Sequence, residues 1–382
     1  MLRRTVLTGA ALCALAVSTQ ANAQQRTLNV LTAGDQNMVD YITDYLGPMF
    51  EKANPGVRVR AVGTGPGDAG SQKIWERLDA QQKANAASWD VDVAVVHQTM
   101  AGQLVRESKL ARYRPQVETD KLVSRDSARK ALGADVDGFV MPMFHSQVAI
   151  AYNPAMVANP PKSYAELADW AAKNPKKFGH NGVRGGMSGV AFVFGWVYAN
   201  TPDAQKLMDG PYDPAVRASW APAMAKLKEF NRNAVITPGN AGTLDQLNRG
   251  EIAMGPVWMD MFYTWQAEGR LAPNMRLELI SPGLPGQPMY YVVPDKAANS
   301  ELARKFVAMA TSPQVQAEGI VKRFNWLPGI DAQHVQAHLD QKIWERLFKD
   351  VSPQQLAERG KPMPMGSYFK EIQEDYERLV AN

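Results

Sequence analysis

The first hundred residues alternate between two hydrophobic periods, and that alternation constrains the fold more than any other feature. Leu28–Thr32 (LNVLT), Gly56–Val62 (GVRVRAV) and Val91–Val96 (VDVAVV) read as strands, the last of them buried on both faces. Between them, Met38, Val39, Ile42, Tyr45, Leu46, Met49 and Phe50 recur at helical spacing, and a second helical run covers 71–84. Strands separated by helices predict a mostly parallel sheet in an α/β domain. Ligands of such sheets sit beyond the carboxyl ends of the strands, here the loops 33–37, 63–71 and 97–99.

The second of these loops reads VGTGPGDAGSQKI over Val62–Ile74. Gly65 and Gly70 have the spacing of the two P-loop glycines, but Ser71 stands where the lysine is needed and Lys73 comes two residues late. Pro66 removes a backbone N–H from the cradle. What remains is a glycine loop opening a helix, which offers N–H groups to a ligand or simply makes a tight connection with Ser71 as N-cap.

At the N-terminus, Arg3 and Arg4 precede the apolar run Val6–Val17 and an Ala21-Asn22-Ala23 cleavage pattern. This is the layout of an export signal, 1–23, cleaved after Ala23. The route, general secretory or twin-arginine, stays open, and the periplasm is the expected location. The single cysteine, Cys13, falls inside this segment. The mature chain is therefore expected to have no disulfide, thiolate nucleophile or cysteine metal site. Removing two arginines and no acids takes the net charge from +4 to +2. That balance argues against nucleic acid or an anionic membrane as partner.

The second half carries a strand at Val148–Tyr152, a helix at Tyr164–Lys173 and a glycine-rich loop over 179–189 running into the apolar 190–198. Further along come a short strand at Glu251–Gly255, an aromatic turn at Val257–Tyr263, a strand at Met289–Val293 and helices over 300–311, 313–323 and 368–380. In order, the segments LNVLTAGDQ, YLGPMFEKANPGVRV, WDVDVAVV, VMPMFHSQVAIAYNP, PKSYAELADWAAKNPKKF, LNRGEIAMGPVW and YYVVPDKAANSELARKFVAMATSPQVQ resemble the extracellular solute-binding proteins of ABC importers. The likeness spans nearly all of the mature chain and is nearest the branch of iron, thiamine and spermidine/putrescine binders. It implies a type II-like periplasmic-binding-protein fold: two α/β lobes joined by hinge strands, with the solute in the cleft. On that likeness, 24–147 and 289–325 form lobe 1, and 148–288 and 326–382 form lobe 2. A permease and its ATPase are the implied partners, met only by transient docking at the membrane, and a monomer is expected.

Loop positions supply the candidate ligand residues. Asp35, Gln36 and Asn37 follow the first strand, and each either caps a helix or faces the solute. Thr64, Gly65 and Asp68 belong to the glycine loop, and His97 and Gln98 end a buried strand. His145 precedes the inferred hinge strand, while Arg184 and Ser188 lie in the second glycine loop. Trp258 and Asp260 pair an aromatic with a carboxylate, which suits a cation. Of Tyr290 and Tyr291, on opposite faces of one strand, Tyr291 is taken to reach the cleft. No cofactor, metal or catalytic residue is expected: spacing fixes no convergence of the histidines, and GMSG at 186–189 falls one residue short of a nucleophile elbow. Arg184 and the helix N-termini lean the reading toward a small polar solute with an anionic group. A cationic amine or thiamine-like solute is the alternative, and a secreted hydrolase is the alternative of another class.

Overall fold

The computed structural model describes residues 25–34, 36–65 and 67–381. The expected export segment and the expected contact Asp35 lie outside the described residues, as does Pro66. Among the described residues, eleven strands form one sheet: β1 (Arg26–Ala33), β2 (Val57–Gly65), β3 (Val93–His97), β4 (Val140–Tyr152), β5 (Phe178–His180), β6 (Ala234–Ile236), β7 (Met254–Trp258), β8 (Arg276–Glu278), β9 (Leu284–Val292), β10 (Leu327–Pro328) and β11 (Gly360–Lys361). The strand order is β2-β1-β3-β9-β4-β7-β5-β6, with β8 and β10 paired to β4 and β11 to β9.

β1 runs parallel to β2 and β3, and β5 runs parallel to β6 and β7, as strands separated by helices must. Between these two groups, β9 and β4 cross antiparallel to their neighbours. β4 pairs with β9 from Val140 to Gln147 and with β7 from Val148 to Tyr152, so one strand serves both halves. It starts eight residues before the expected Val148. Pro142 and the polar triplet His145-Ser146-Gln147 hide its first half from a reading by hydropathy, although all but its last residue are buried.

Two apolar cores flank this crossing. The first gathers side chains from 28–144 and 289–347, among them Val30, Val95, Phe306 and Ile320. The second gathers 148–284 and 351–380, centred on the aromatics Phe178, Phe192, Trp196 and Phe230. Past residue 326, Leu327, Ile330, Val335 and Leu347 pack in the first core, and the chain joins the second at Val351. The sequence boundary at 326 followed the crossing strand and could not see this detour.

Residues 36–53 are helical throughout, as periodicity predicts, with a π-helical turn at Tyr41–Leu46. The helix α1 (Gly67–Lys83) begins four residues before the expected Ser71, which therefore is not its N-cap. Its hydroxyl accepts the His97 N–H at 2.9 Å and ties the end of β3 to α1. The glycine at 70 serves packing within this helix: a Cβ there would stand 1.9 Å from the Gly65 carbonyl oxygen. His334 and His338 lie in two separate 3-10 turns.

Candidate functional site

The loops at the carboxyl ends of β1, β2 and β3 meet the two crossing strands around a cavity of about 290 Å³. Gly34, Asn37 and Met38 line it from the loop after β1, Asp68 from the first turn of α1, and His97 from the end of β3. Phe144 enters from β4, Gln287 and Met289 from β9, and Trp326 from the residue before β10. Met187, first residue of the helix α3 (Met187–Asn200), closes it from the second core's side; α2 (Gln98–Arg106) starts beside His97. The opening glycine loop thus borders this cavity through Asp68.

Asp68 is the hub of the polar half. Its Oδ1 lies 2.8 Å from His97 Nδ1 and accepts the Thr99 hydroxyl at 2.5 Å. The hydrogen bond from His97 is the main reason its carboxyl sits below the usual carboxylate range. On the far side of the ring, His97 Nε2 meets Gln287 Oε1 at 3.0 Å, which links lobe-1 loops to a crossing strand. Thr64 closes the loop from below, its hydroxyl donating to the carbonyls of Gly70 (2.9 Å) and Thr32 (3.2 Å). Gly65 has φ +106° and accepts the Gly34 N–H at 2.8 Å, so a side chain there would be strained.

The apolar half is an aromatic stack. The Trp326 ring lies 3.9 Å from Phe144 at 12° and 4.4 Å from Phe324 at 23°, and Phe324 stands edge-on to Tyr41. Trp326 Nε1–H donates to Asp260 Oδ2 at 3.2 Å. Asp260, in the first turn of the helix α4 (Met259–Ala267), also accepts the Ser146 hydroxyl. Burial raises its carboxyl above the usual range, and the two donors offset only part of that. Asp260 therefore reaches the site through Trp326, from the second lobe to the first.

Of the residues singled out from sequence, the structure brings Asn37, Asp68 and His97 to the cavity wall and Asp260 behind Trp326. Thr64 and Gly65 shape the loop behind that wall, while Gln36 is exposed and bonded to Asp40. Gln98 is buried, with no hydrogen-bond partner for its Nε2 among the described residues. Trp258 is buried as the N-terminal flank of α4. Tyr291 is fully buried edge-on to Phe306, since its strand is covered on both faces, and Tyr290 is fully buried too. Arg184 is exposed and pairs with Glu377 at 2.7 Å, away from the cavity wall. Ser188 is fully buried, and its hydroxyl donates to Asn240 at 2.7 Å. That contact, with a second to Asn181 Oδ1 at 3.2 Å, pins the glycine loop. His145 lies between Phe144 and Ser146 on β4 and so points to the opposite face. His180, buried and bonded through Nε2 to Asn231 Oδ1, is pushed down to about 4 by burial and stays neutral. Phe144, Met187, Gln287, Met289 and Trp326 went unseen in the sequence reading; the crossing inferred at 325–329 was the one signal that could have pointed to Trp326.

The chain matches the family model of bacterial extracellular solute-binding proteins over residues 47–331. It is 26% identical over 303 residues to a gamma-aminobutyric acid-binding protein of Pseudomonas aeruginosa, covering 79% of this chain and 77% of that one. Among solved structures, an extracellular solute-binding protein from Bordetella parapertussis superposes with a TM-score of 0.72 at 14% identity, covering 93% of this chain and 98% of that one. A spermidine/putrescine substrate-binding protein of Streptococcus pneumoniae gives 0.67 at 14%, covering 93% and 98%. A solved GABA receptor gives 0.63 at 22%, covering 93% and 97%. Both the family and the two-lobe architecture agree with the resemblance read from sequence.

Proposed function

Because the chain belongs to the family of bacterial extracellular solute-binding proteins, we propose that it captures a small zwitterionic solute, amine and carboxylate on one short chain, in the cavity between its lobes. The observation that carries this reading is the lining itself. Asp68 faces the cavity, Asp260 stands behind Trp326, and the lining contains no lysine or arginine among the described residues. His97, the one basic side chain there, is already bonded to Asp68. An ammonium group satisfies such a wall through a carboxylate and the faces of Phe144 and Trp326. The carboxylate end is assigned to the N-terminal end of α3 at Met187, where the helix dipole favours an anion, the Ser188 N–H there being already bonded to Asn240 Oδ1 at 3.2 Å. This keeps the anionic group expected from sequence and moves its partner from Arg184, which is committed to Glu377, to a helix end. A cavity near 290 Å³ is at the small end for ligand sites and suits a compact solute. The likeness to a gamma-aminobutyric acid-binding protein supports the same class.

In this reading the protein works in the periplasm after removal of 1–23, closes about β4 and β9, and hands its solute to a permease driven by a separate ATPase. No described helix is long and apolar enough to cross a membrane. Thermal unfolding of residues 24–382 against ω-amino acids, diamines, dicarboxylates and sugars tests it. An ω-amino acid at a hundredfold excess over Kd should add about 2.7 kcal/mol of stability. A larger shift from a dicarboxylate or a sugar would overturn the zwitterion reading.

A further inference from the structure

Asp68, His97 and Gln287 form one hydrogen-bonded line along the cavity wall, and the protons in that line are constrained. His97 Nδ1 lies 2.8 Å from Asp68 Oδ1 and 3.0 Å from the Thr99 hydroxyl oxygen. The Thr99 hydroxyl donates its own proton to Asp68 at 2.5 Å. An ionised carboxylate only accepts, so both neighbours of Nδ1 require a hydrogen there. Asp68 is held below the usual carboxylate range and is ionised at neutral pH. Nδ1 therefore carries a proton whatever the charge of the ring, and only Nε2 is free to change.

Nε2 meets Gln287 Oε1 at 3.0 Å. A carbonyl oxygen accepts, so this contact requires a proton on Nε2 as well, and the ring is then an imidazolium. Without that proton two lone pairs face each other. Turning the amide end for end removes the conflict: its NH2 group then donates to the ring, and its carbonyl oxygen faces the cavity. Both partners are anchored, since the Gln287 backbone pairs with Ser146 on β4 and the His97 N–H donates to Ser71. Both line the cavity, and the ring is the one hydrogen-bond partner of the Gln287 side chain among the described residues. We propose that Gln287 is a specificity-determining residue, and that the proton on His97 Nε2 decides which end of its amide the solute meets. With the ring charged, the amide offers N–H donors, which suit a carboxylate. With the ring neutral, it offers a carbonyl oxygen, which suits an ammonium group or a hydroxyl. A carboxylate arriving at a neutral ring thus draws one proton from solvent onto Nε2, and an amine arriving at a charged ring releases one to solvent. Asp68 is the one charged side chain that meets this ring among the described residues; Thr99 and Gln287 are neutral. The device does not depend on which solute class is transported, because ring and amide meet without a solute.

Nitrogen-15 spectra of the histidine rings in solute-free protein, residues 24–382, test the first step, with His97 assigned by the signal lost in His97→Gln. The neutral form of His97 should carry its proton on Nδ1. A neutral ring with the proton on Nε2 would overturn the proposal. Calorimetric titration in two buffers of different ionisation heat then counts protons. Where the spectra show a neutral ring, an ω-amino acid or a dicarboxylate should take up about one proton per solute bound. Where they show a charged ring, a diamine should release about one. Gln287→Met, which removes the amide and keeps the bulk, should abolish the exchange, and Gln36→Met, on the exposed loop, should leave it as in wild type. Neither uptake nor release by wild type, or the same proton count in Gln287→Met, would also overturn it.

Discussion

Two carboxylates near the cavity depart from the ordinary value in opposite directions, and that difference is measurable. Asp68 lies below the ordinary 3.8, chiefly through its hydrogen bond with His97. The folded chain therefore holds that proton less readily than the unfolded one. Its contribution is present above 3.8 and is lost as pH falls through the lowered value. Asp260 is raised above 3.8 by burial, so the folded chain holds its proton more readily, and stability is lost as pH rises from 3.8 through the raised value. Thermal midpoints followed against pH should show Asp260→Asn gaining on wild type across that rise, and Asp68→Asn gaining on wild type as pH falls below 3.8. Parallel curves for both variants would contradict these assignments. At this scale the sequence was partly legible. Asn37, Asp68 and His97 follow strand ends, where open α/β sheets bind ligands. Arg184 and Ser188 also lie in a glycine loop, but Glu377 and Asn240, distant in sequence, engage them. No local pattern announces such a partner.

Among elements, the glycine loop and the stretch before β10 carry the site. Gly70→Ala drives a Cβ into the Gly65 carbonyl and should cost about 1–3 kcal/mol in denaturant unfolding, the range for overpacking. Gly366→Ala is the control: a Cβ there meets nothing within 4 Å, and the change should stay within about 0.5 kcal/mol or stabilise slightly. Equal costs would show that the loop does not hold α1 this tightly. Trp326→Phe keeps an aromatic ring between Phe144 and Phe324 but removes the donor to Asp260. It should weaken solute binding by about 1–3 kcal/mol, the worth of one hydrogen bond to a carboxylate, when titrated by calorimetry. An unchanged affinity would remove Asp260 from the site. Elements with clear periodicity, such as β1, β3 and Tyr164–Lys173, were legible within a residue or two. The crossing strand was not, because its polar middle is buried by pairing with β9 and β10, which only tertiary structure supplies.

At the scale of the molecule, two cores share one sheet through β4, and the cavity lies where they meet. Closure about such a crossing is driven only by contacts that the solute makes better in the closed state. In the proposed reading those contacts are Asp68 and the ring stack from lobe 1 and the α3 end at Met187 from lobe 2, with Asp260 acting through Trp326. The α/β character followed from strand and helix order and the two lobes from the resemblance; the meeting of Trp326 with Asp260 across the lobes did not, since 66 residues separate them. The most direct test is calorimetric titration of one ω-amino acid into wild-type protein and into Asp68→Asn. The account predicts saturable one-to-one binding by wild type, weakened about tenfold or more in the variant, as expected when a charge-assisted contact to the ammonium group is lost. Undiminished binding by Asp68→Asn would contradict a solute seated in this cavity with its amine against that carboxylate.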